Sequence, residues 1–221
     1  MQGAEPFAWV RHEGRDVPAT ENLVPGNRVY GERLVRHAGS EYRTWDPRRS
    51  KLAAAIMNGL GGVPFRAGDR VLYLGSSTGT TLSHVSDMVG AGGVVYGVDH
   101  SSRVARDFMD RVAGPRSNVV PVMQDARSPS EYFAVSGRMD AVYADIAQPD
   151  QTEIALRNCR MFLRRGGAFM LVVKVRSISA AGAAREVASA EVDRLGGYDV
   201  TDVINLEPYH KEHYMVLSRS A

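Results

Sequence analysis

The chain has 221 residues, of which 44% are hydrophobic and 24% are charged, and its formal net charge is +2. This size suits one good core with a small appended module. No apolar run approaches the roughly 20 residues of a membrane span, and the first residues lack a signal-peptide pattern, so we expect a cytoplasmic protein. The single cysteine, Cys159, excludes an intrachain disulfide and a thiolate metal cluster.

Residues 1–45 differ in sequence pattern from the rest of the chain. Short alternating segments at residues 7–10 and 34–37 are separated by glycines and prolines, a pattern typical of a small antiparallel β module. We therefore predict two domains, a β module over residues 1–45 and a larger domain over residues 46–221.

A local basic patch lies in and just after this module. Because the net charge is small, any contact with nucleic acid has to come from such a patch. Cations interleaved with flat aromatic rings suit phosphate neutralisation and base stacking, whereas a solvated face over a few core aromatics is the alternative. The basic residues are Arg28, Arg33, Arg36, Arg43, Arg48, Arg49 and Lys51, and the aromatic residues are Tyr30, Tyr42 and Trp45.

A helix is predicted to follow the module. Asp46 is a suitable N-cap and Pro47 a suitable first helical residue, so the helix should run over residues 48–60 with Lys51 near its beginning.

From residue 71 onward, strand and helix patterns alternate, which predicts a parallel sheet covered on both faces. The last two strands, at residues 200–206 and 213–217, are joined by a segment too short for a crossover helix and should pair antiparallel. This α/β arrangement is that of class I, Rossmann-like S-adenosylmethionine-dependent methyltransferases. The strands are predicted near 71–75, 94–98, 119–123, 140–144 and 167–174, and the helices near 81–90, 102–113, 151–163 and 180–195.

The first strand of this sheet enters a small-residue loop, residues 75–79, at the sheet edge where α/β folds bind ligands. Asp99, at the end of the next strand, is placed to accept hydrogen bonds from ribose hydroxyls. Ser77 replaces the second glycine of a dinucleotide loop, and no lysine follows Gly79 as in an ATP-binding loop. S-adenosylmethionine therefore fits better than a nicotinamide cofactor or ATP, and a tight turn without a ligand is the alternative.

Lysine positions are informative because the chain has 24 arginines but only three lysines, Lys51, Lys174 and Lys211. Lys174 and Asp145 each end an apolar strand, so both should face the ligand cleft. Arginine cannot lose its proton in a protein, whereas lysine can, which suggests that Lys174 acts as a base. A purely structural pair with Asp145 is the alternative.

Asp125-Ala126-Arg127 follows the strand at 119–123, where an acid can accept a hydrogen bond from adenine. An ordinary aspartate at a strand end, without a ligand, is the alternative. The histidines show no metal-site spacing, so no metal is predicted.

Six segments together resemble fibrillarin in its archaeal form, without the glycine-arginine-rich tail. They are YRTWDPRRSKLAAAI (42–56), VLYLGSSTGTTLSHVSD (71–87), QDAR (124–127), ADIAQPDQT (144–152), FLRRGGAF (162–169) and LEPYHKEH (206–213). The resemblance implies 2′-O-methylation of ribose in rRNA and tRNA, directed by a C/D-box guide RNA. It also implies a ribonucleoprotein that contains a scaffold protein and a kink-turn-binding protein.

By the same resemblance, Lys51, Asp145, Lys174 and His213 form a catalytic tetrad, with Glu207 as a further candidate. Family members more often carry Glu-Phe where this chain has Asp99-His100. The residues implied to bind S-adenosylmethionine are Gly75, Thr80, Thr81, Asp99, His100, Asp125, Ala126, Asp145 and Gln148.

These residues suit attack of a ribose hydroxyl on a methyl sulfonium, which requires positioning and proton removal. Lys174 is the expected base, Asp145 would orient both lysines, Lys51 would hold the hydroxyl or a phosphate, and His213 would support the network. A stand-alone RNA 2′-O-methyltransferase and a non-catalytic subunit for RNA assembly remain as alternatives.

Overall fold

The computed structural model describes residues 5–132 and 137–221, which form two separate β-sheets. Residues 1–4 of the predicted N-terminal module lie outside the described residues. None of the helices in the described ranges has the length and apolar character to cross a bilayer.

The first sheet has four strands in the order β1-β2-β4-β3, and all of its neighbours pair antiparallel. This confirms the antiparallel module predicted from the sequence, while the domain boundary at residue 45 stays a prediction. The strands are β1 (Ala8–His12), β2 (Arg15–Glu21), β3 (Leu34–His37) and β4 (Ser40–Thr44).

The second sheet has seven strands in the order β10-β11-β9-β8-β5-β6-β7. Strand β11 runs antiparallel to both of its neighbours, and the pairs from β9 to β7 are parallel, as predicted. The strands are β5 (Arg70–Leu74), β6 (Val94–Val98), β7 (Val119–Val122), β8 (Met139–Ala144), β9 (Leu163–Lys174), β10 (Tyr198–Asn205) and β11 (His213–Ser220).

Helices cover both faces of this sheet. Because side chains alternate along β5, Tyr73 belongs to the core beneath α1 and α2, whereas Leu72 and Leu74 belong to the core beneath α4. The helices are α1 (Lys51–Met57), α2 (Thr80–Val89), α3 (Ser102–Phe108), α4 (Gln151–Phe162), α5 (Val175–Ile178) and α6 (Ala184–Asp193), with a π-helical turn at Met109–Ala113 and a 3-10 turn at Pro129–Tyr132.

The predicted start of α1 is wrong by several residues. The Asp46 carboxylate accepts a hydrogen bond from the Arg48 amide at 2.8 Å, and its carbonyl closes a turn with the amides of Arg49 and Ser50. Ser50 is the N-cap, because its hydroxyl accepts from the Ala53 amide. Lys51 is consequently the first residue of the helix.

The N-terminal sheet is attached to the larger one through buried charges. Arg43 forms ion pairs with Glu32 at 2.6 Å and with Asp87 of α2 at 2.8 Å, and Arg116 reaches the same Asp87 carboxylate at 2.5 Å. Arg43, Asp87 and Arg116 have fully buried side chains, and Trp45 is buried beside them. Arg43 and Trp45 therefore do not belong to an exposed basic patch, which corrects the prediction made from the sequence.

His84 lies in the same buried region, with both ring nitrogens occupied. Thr20 donates its hydroxyl proton to Asp87 at 2.7 Å, so its oxygen accepts from His84 Nδ1, also at 2.7 Å. The Tyr30 hydroxyl lies 2.7 Å from Nε2 and 3.1 Å from the carbonyl oxygen of Thr44. Burial beside Arg43 and Arg116 holds the pKa of His84 well below its ordinary value, so the imidazole is neutral.

We expect the neutral His84 to make stability depend on pH. Below pH 6.5, the ordinary value for histidine, the unfolded chain binds a proton that the folded chain excludes. The free energy of unfolding should therefore fall by about 1.4 kcal/mol per pH unit as pH drops from about 6.5 to 5. His84→Gln should remove this contribution in urea denaturation measured across the range. His37→Gln, at an exposed histidine, should keep the wild-type slope, and equal slopes in all three proteins would refute the assignment.

Candidate active site

Five strand ends meet at one edge of the seven-stranded sheet and enclose a cavity of about 290 Å³. This is the ligand edge that the sequence predicts. The cavity is lined by Gly75, Ser77, Val98, Asp99, His100, Asp125, Ala126, Arg127, Asp145, Ile146, Ala147, Gln148, Ile154 and Lys174.

The loop after β5 is shaped by backbone constraints. Gly75 has φ +81°, and a Cβ atom there would lie 2.6 Å from the carbonyl oxygen of Asp145. Only glycine allows β5 and β8 to approach this closely at their carboxyl ends. Ser77 also adopts a positive φ of +49°, and its amide donates to Asp99 at 2.8 Å.

Gly75→Ala tests this close approach. The left-handed backbone alone should cost about 1–2 kcal/mol, and the clash should also displace Asp145. We expect a lower melting temperature together with loss of cofactor binding in calorimetry. Gly14→Ala is the matched control, because Gly14 has φ +78° and open space around its Cβ position. If Gly75→Ala bound the cofactor as well as Gly14→Ala, the close approach would have no role in the site.

Asp99 lines the cavity, and two backbone amides hold its carboxylate. One carboxylate oxygen accepts from the Ser77 amide at 2.8 Å, and the other accepts from the Ser101 amide at 2.9 Å. Each oxygen keeps a second lone pair, so the carboxylate can accept from two neighbouring hydroxyl groups such as those of a ribose.

The carboxylate of Asp125 is bound by the side chain of Arg127, for which no role was predicted. Arg127 contacts both Asp125 carboxylate oxygens, with nitrogen-to-oxygen distances between 2.7 and 3.2 Å. The hydrogen bonds from the Arg127 side chain and amide lower the pKa of the Asp125 carboxyl, so it is ionised and serves only as an acceptor. An amine of a bound adenine would therefore share this acceptor with Arg127.

The two lysines predicted to meet at Asp145 do so. Lys51 Nζ lies 2.9 Å from Asp145 Oδ2, and Lys174 Nζ lies 2.7 Å from Asp145 Oδ1. Lys174 Nζ also donates to the Asp145 carbonyl at 2.9 Å. Burial alone would raise the pKa of the Asp145 carboxyl, but the two ammonium groups and their hydrogen bonds outweigh it and lower that pKa.

Gln151 fixes the backbone of Lys174, a role that the sequence did not indicate. This buried side chain accepts from the Lys174 amide at 3.0 Å and donates to the Lys174 carbonyl at 3.4 Å. Gln151, in the first turn of α4, thereby holds the backbone of the last residue of β9 in place. The only sequence signal was its place in the segment 144–152.

His213 is opposite Lys174 in the pairing of β11 with β9. Its Nδ1 lies 2.7 Å from the Lys211 carbonyl oxygen, so Nδ1 carries the proton and Nε2 is left as an acceptor. Burial, together with the ammonium groups of Lys51 and Lys174, lowers the pKa of His213. The neighbouring His210 donates to the Pro47 carbonyl at 2.9 Å and thereby ties this loop to the start of α1.

Besides Lys51 and His213, which lie next to Asp145 and Lys174, three predicted site residues do not line the cavity. Thr80 and Thr81 are outside the cavity lining, and the Thr81 hydroxyl is 2.9 Å from that of Ser50, where it joins α2 to α1. The Glu207 carboxylate accepts from the Glu212 amide at 3.2 Å within its own loop. The other predicted cofactor residues, including His100, Ala126 and Gln148, line the cavity.

The cavity fits S-adenosylmethionine by the chemistry of its donors and acceptors. The Asp99 acceptors suit a ribose and the Asp125 acceptor suits an adenine amine, whereas the loop carries no phosphate-binding lysine. With a terminal antiparallel strand beside this cavity, the molecule has the fold of the S-adenosylmethionine-dependent methyltransferases.

The family model for fibrillarin matches residues 4–221, and the chain belongs to the fibrillarin family. It is 47% identical to the fibrillarin-like rRNA/tRNA 2′-O-methyltransferase of Pyrobaculum aerophilum over 210 residues, which cover 94% of this chain and 89% of the relative.

Two solved structures are also similar to this chain. Fibrillarin from Aeropyrum pernix, in complex with natively bound S-adenosyl-L-methionine, superposes with a TM-score of 0.86 at 42% identity, covering 97% of this chain and 100% of that one. A fibrillarin/Nop5p complex superposes with a TM-score of 0.86 at 33% identity, covering 93% and 95%.

Proposed function

We propose that this protein transfers a methyl group from S-adenosylmethionine to a ribose 2′-hydroxyl in rRNA and in tRNA. The observation that carries the proposal is the contact of Lys51 and Lys174 with one buried carboxylate, Asp145, at the edge of the cofactor cavity. The names of the curated relatives support the same reaction and the same two RNA substrates.

We assign the cofactor to the cavity at the strand ends. Asp99 would accept from its ribose, Asp125 would accept from its adenine amine, and Gly75 would allow close approach of the loop. His100, Ala126 and Gln148 would complete the walls, with Thr80 and Thr81 supporting the loop from α2. When bound, S-adenosylmethionine supplies a methyl group on a positively charged sulfur.

The residues around Asp145 would prepare the hydroxyl for attack. Lys174 Nζ is held between the Asp145 carboxylate and the Asp145 carbonyl oxygen, and in the reacting form its lone pair would take the 2′-hydroxyl proton. Lys51 forms an ion pair with Asp145 and would hold the hydroxyl or an adjacent phosphate. The 2′-oxygen would give its proton to Lys174 and form a bond to the methyl carbon as the carbon–sulfur bond breaks, and the electron pair of that bond would go to the sulfur, which leaves as a neutral thioether.

Guide direction is part of the proposal. The similarity to a fibrillarin/Nop5p complex supports a scaffold partner that holds the enzyme over its target. We propose that a C/D-box guide RNA selects the ribose and that a kink-turn-binding protein belongs to the same particle. With rRNA and tRNA as substrates, we place the reaction in the cytoplasm.

The test is transfer of a labelled methyl group from S-adenosylmethionine to a target RNA, with and without a C/D guide RNA and its scaffold proteins. We expect transfer to the single guided ribose only with those partners. Transfer to the same RNA without them would replace guide direction with a stand-alone enzyme. Cofactor binding without transfer under either condition would favour a non-catalytic assembly subunit.

A further inference from the structure

Strand β9 extends past its neighbour β8 at the edge of the sheet that holds the site. The last pair between the two strands joins Ala144 to Leu171, so no strand of the described chain lies beside residues 172–174 on that side. On the other side β11 accompanies β9 to its end, with His213 opposite Lys174. The proposed base therefore lies at an end of β9 that has a strand on one side only.

The backbone of Lys174 points to the side without a strand. The next residue, Val175, donates its amide proton to the Glu212 carbonyl at 3.2 Å, and the His213 carbonyl accepts from the Leu206 amide at 2.9 Å. Lys174 and His213 are therefore a non-hydrogen-bonded pair, the kind whose side chains lie closer together. The N–H and C=O of Lys174 consequently need partners other than β11.

Gln151 supplies both partners with one side chain. Its Oε1 accepts from the Lys174 amide at 3.0 Å, and its Nε2 donates to the Lys174 carbonyl at 3.4 Å. A side-chain amide has the same donor and acceptor as a peptide group, so this amide takes the place of the peptide that β8 lacks here. Gln151 is fully buried and is the first residue of α4.

The same amide also contacts the loop that lines the cofactor cavity. Its Nε2 donates to the carbonyl of Gln148, a lining residue, at 3.1 Å. At the far end of the lysine side chain, Asp145 holds Nζ through its carboxylate and its carbonyl oxygen. The flexible stem of Lys174 is therefore held at both ends, and Gln151 holds the backbone end.

We propose that Gln151 is a positioning residue for methyl transfer, because it holds the backbone of Lys174 against the loop that carries Gln148. The proposal rests on the function proposed above, with Lys174 as the base. The base, the hydroxyl and the methyl donor have to be aligned at the same time, and a misplacement of about 1 Å can cost roughly 10²-fold in rate. Gln151 does not line the cofactor cavity, so it acts through the two residues that it holds.

The test compares two variants of the full chain, each of which loses one buried polar group of α4. Gln151→Met keeps the length of the side chain and removes its three hydrogen bonds. Thr152→Val is the matched control, because Thr152 is equally buried and its hydroxyl has no partner in the described chain. Single-turnover transfer is measured in the guided particle at saturating S-adenosylmethionine, and cofactor affinity is measured by calorimetry.

For Gln151→Met we expect transfer about 10²-fold slower than in the wild type, with cofactor affinity close to that of the wild type. The Gln148 carbonyl keeps its hydrogen bond from the backbone amide of residue 151 at 3.2 Å, so the cavity wall should stay in place. The Lys174 amide should exchange its hydrogen at least about fivefold faster in NMR, because its acceptor is gone. Thr152→Val should match the wild type in all three measurements.

Gln151→Glu should restore transfer in a pH-dependent way. A neutral carboxyl has one donor and one acceptor, as the amide has, whereas a carboxylate only accepts. Buried glutamates are documented with pKa values of about 8–9, so transfer relative to the wild type should be high at about pH 6 and fall by about pH 9. The ratio of Gln151→Met to the wild type should not change over this range.

The proposal is overturned by wild-type transfer in Gln151→Met, by a loss that more cofactor restores, or by an equal loss in Thr152→Val. Unchanged exchange of the Lys174 amide in Gln151→Met would overturn it as well, and so would a Gln151→Glu variant as slow as Gln151→Met at about pH 6. Absence of transfer by the wild type, with faster Lys174 exchange in Gln151→Met alone, would contradict the proposed function. The hold of Gln151 on Lys174 would still stand in that case.

Discussion

Replacing Lys174 with arginine is expected to abolish methyl transfer while leaving cofactor binding intact. Arginine keeps the positive charge against Asp145, so the ion pair and the fold should survive. It cannot give up its proton at working pH, so the 2′-hydroxyl would have no acceptor for its proton. The expected loss is about 10²- to 10⁴-fold in single-turnover transfer, the usual contribution of general base catalysis.

Two other lysine variants serve as controls. Lys51→Arg should retain more transfer than Lys174→Arg, because the role proposed for Lys51 needs a cation and not a base. Lys211→Arg should transfer at the wild-type rate, since Lys211 contacts His213 through its backbone carbonyl. Near-normal transfer by Lys174→Arg, together with loss in a His213→Ala variant, would reassign the base to His213, whose Nε2 is left as an acceptor.

Replacing Asp87 with asparagine is expected to give a large loss of stability. The Asp87 carboxylate contacts Arg43 and Arg116, and all three side chains are fully buried. Without it, Arg116 loses its ion pair and Arg43 keeps the pair with Glu32. Breaking a buried ion pair from one side typically costs about 3–5 kcal/mol, so we expect a loss of that size in the free energy of unfolding from urea denaturation.

Asp107→Asn is the matched control for this prediction. Asp107 makes an exposed ion pair with Arg111 at 3.8 Å, within one turn of helix. Exposed pairs of this kind contribute little, so its removal should leave the urea midpoint close to that of the wild type. If the two variants lost equal stability, the buried charges would not be what holds the N-terminal sheet against α2.

Several features were predictable because local physical chemistry decides them. The apolar runs, small-residue loops and strand-end carboxylates indicated the parallel sheet and placed Gly75, Asp99 and Asp145 at one edge. The short connection before β11 required an antiparallel pair. The scarcity of lysine singled out Lys51 and Lys174, which the structure brings to the same carboxylate.

Other features depended on which turns and charges meet in space. Asp46 and Ser50 are both good N-caps, and the hydroxyl contact of Ser50 with Thr81 ties the helix that begins after Ser50 to α2. The sequence predicted Arg43 as a surface cation. In the structure its side chain is buried and pairs with Asp87, 44 residues further along the chain. Gln151 showed its role only through its hydrogen bonds with Lys174.

The sequence by itself determined the class of fold, the edge of the sheet that holds the site and the residue types available there. These follow from hydrophobic period, loop length and backbone sterics, which act between near neighbours in the chain. Only the tertiary structure decided the start of α1, the charges that became buried and the hydrogen bonds of Gln151 with Lys174. Those depend on packing between distant segments, where burial makes an ionic partner obligatory and no local pattern indicates which partner it is.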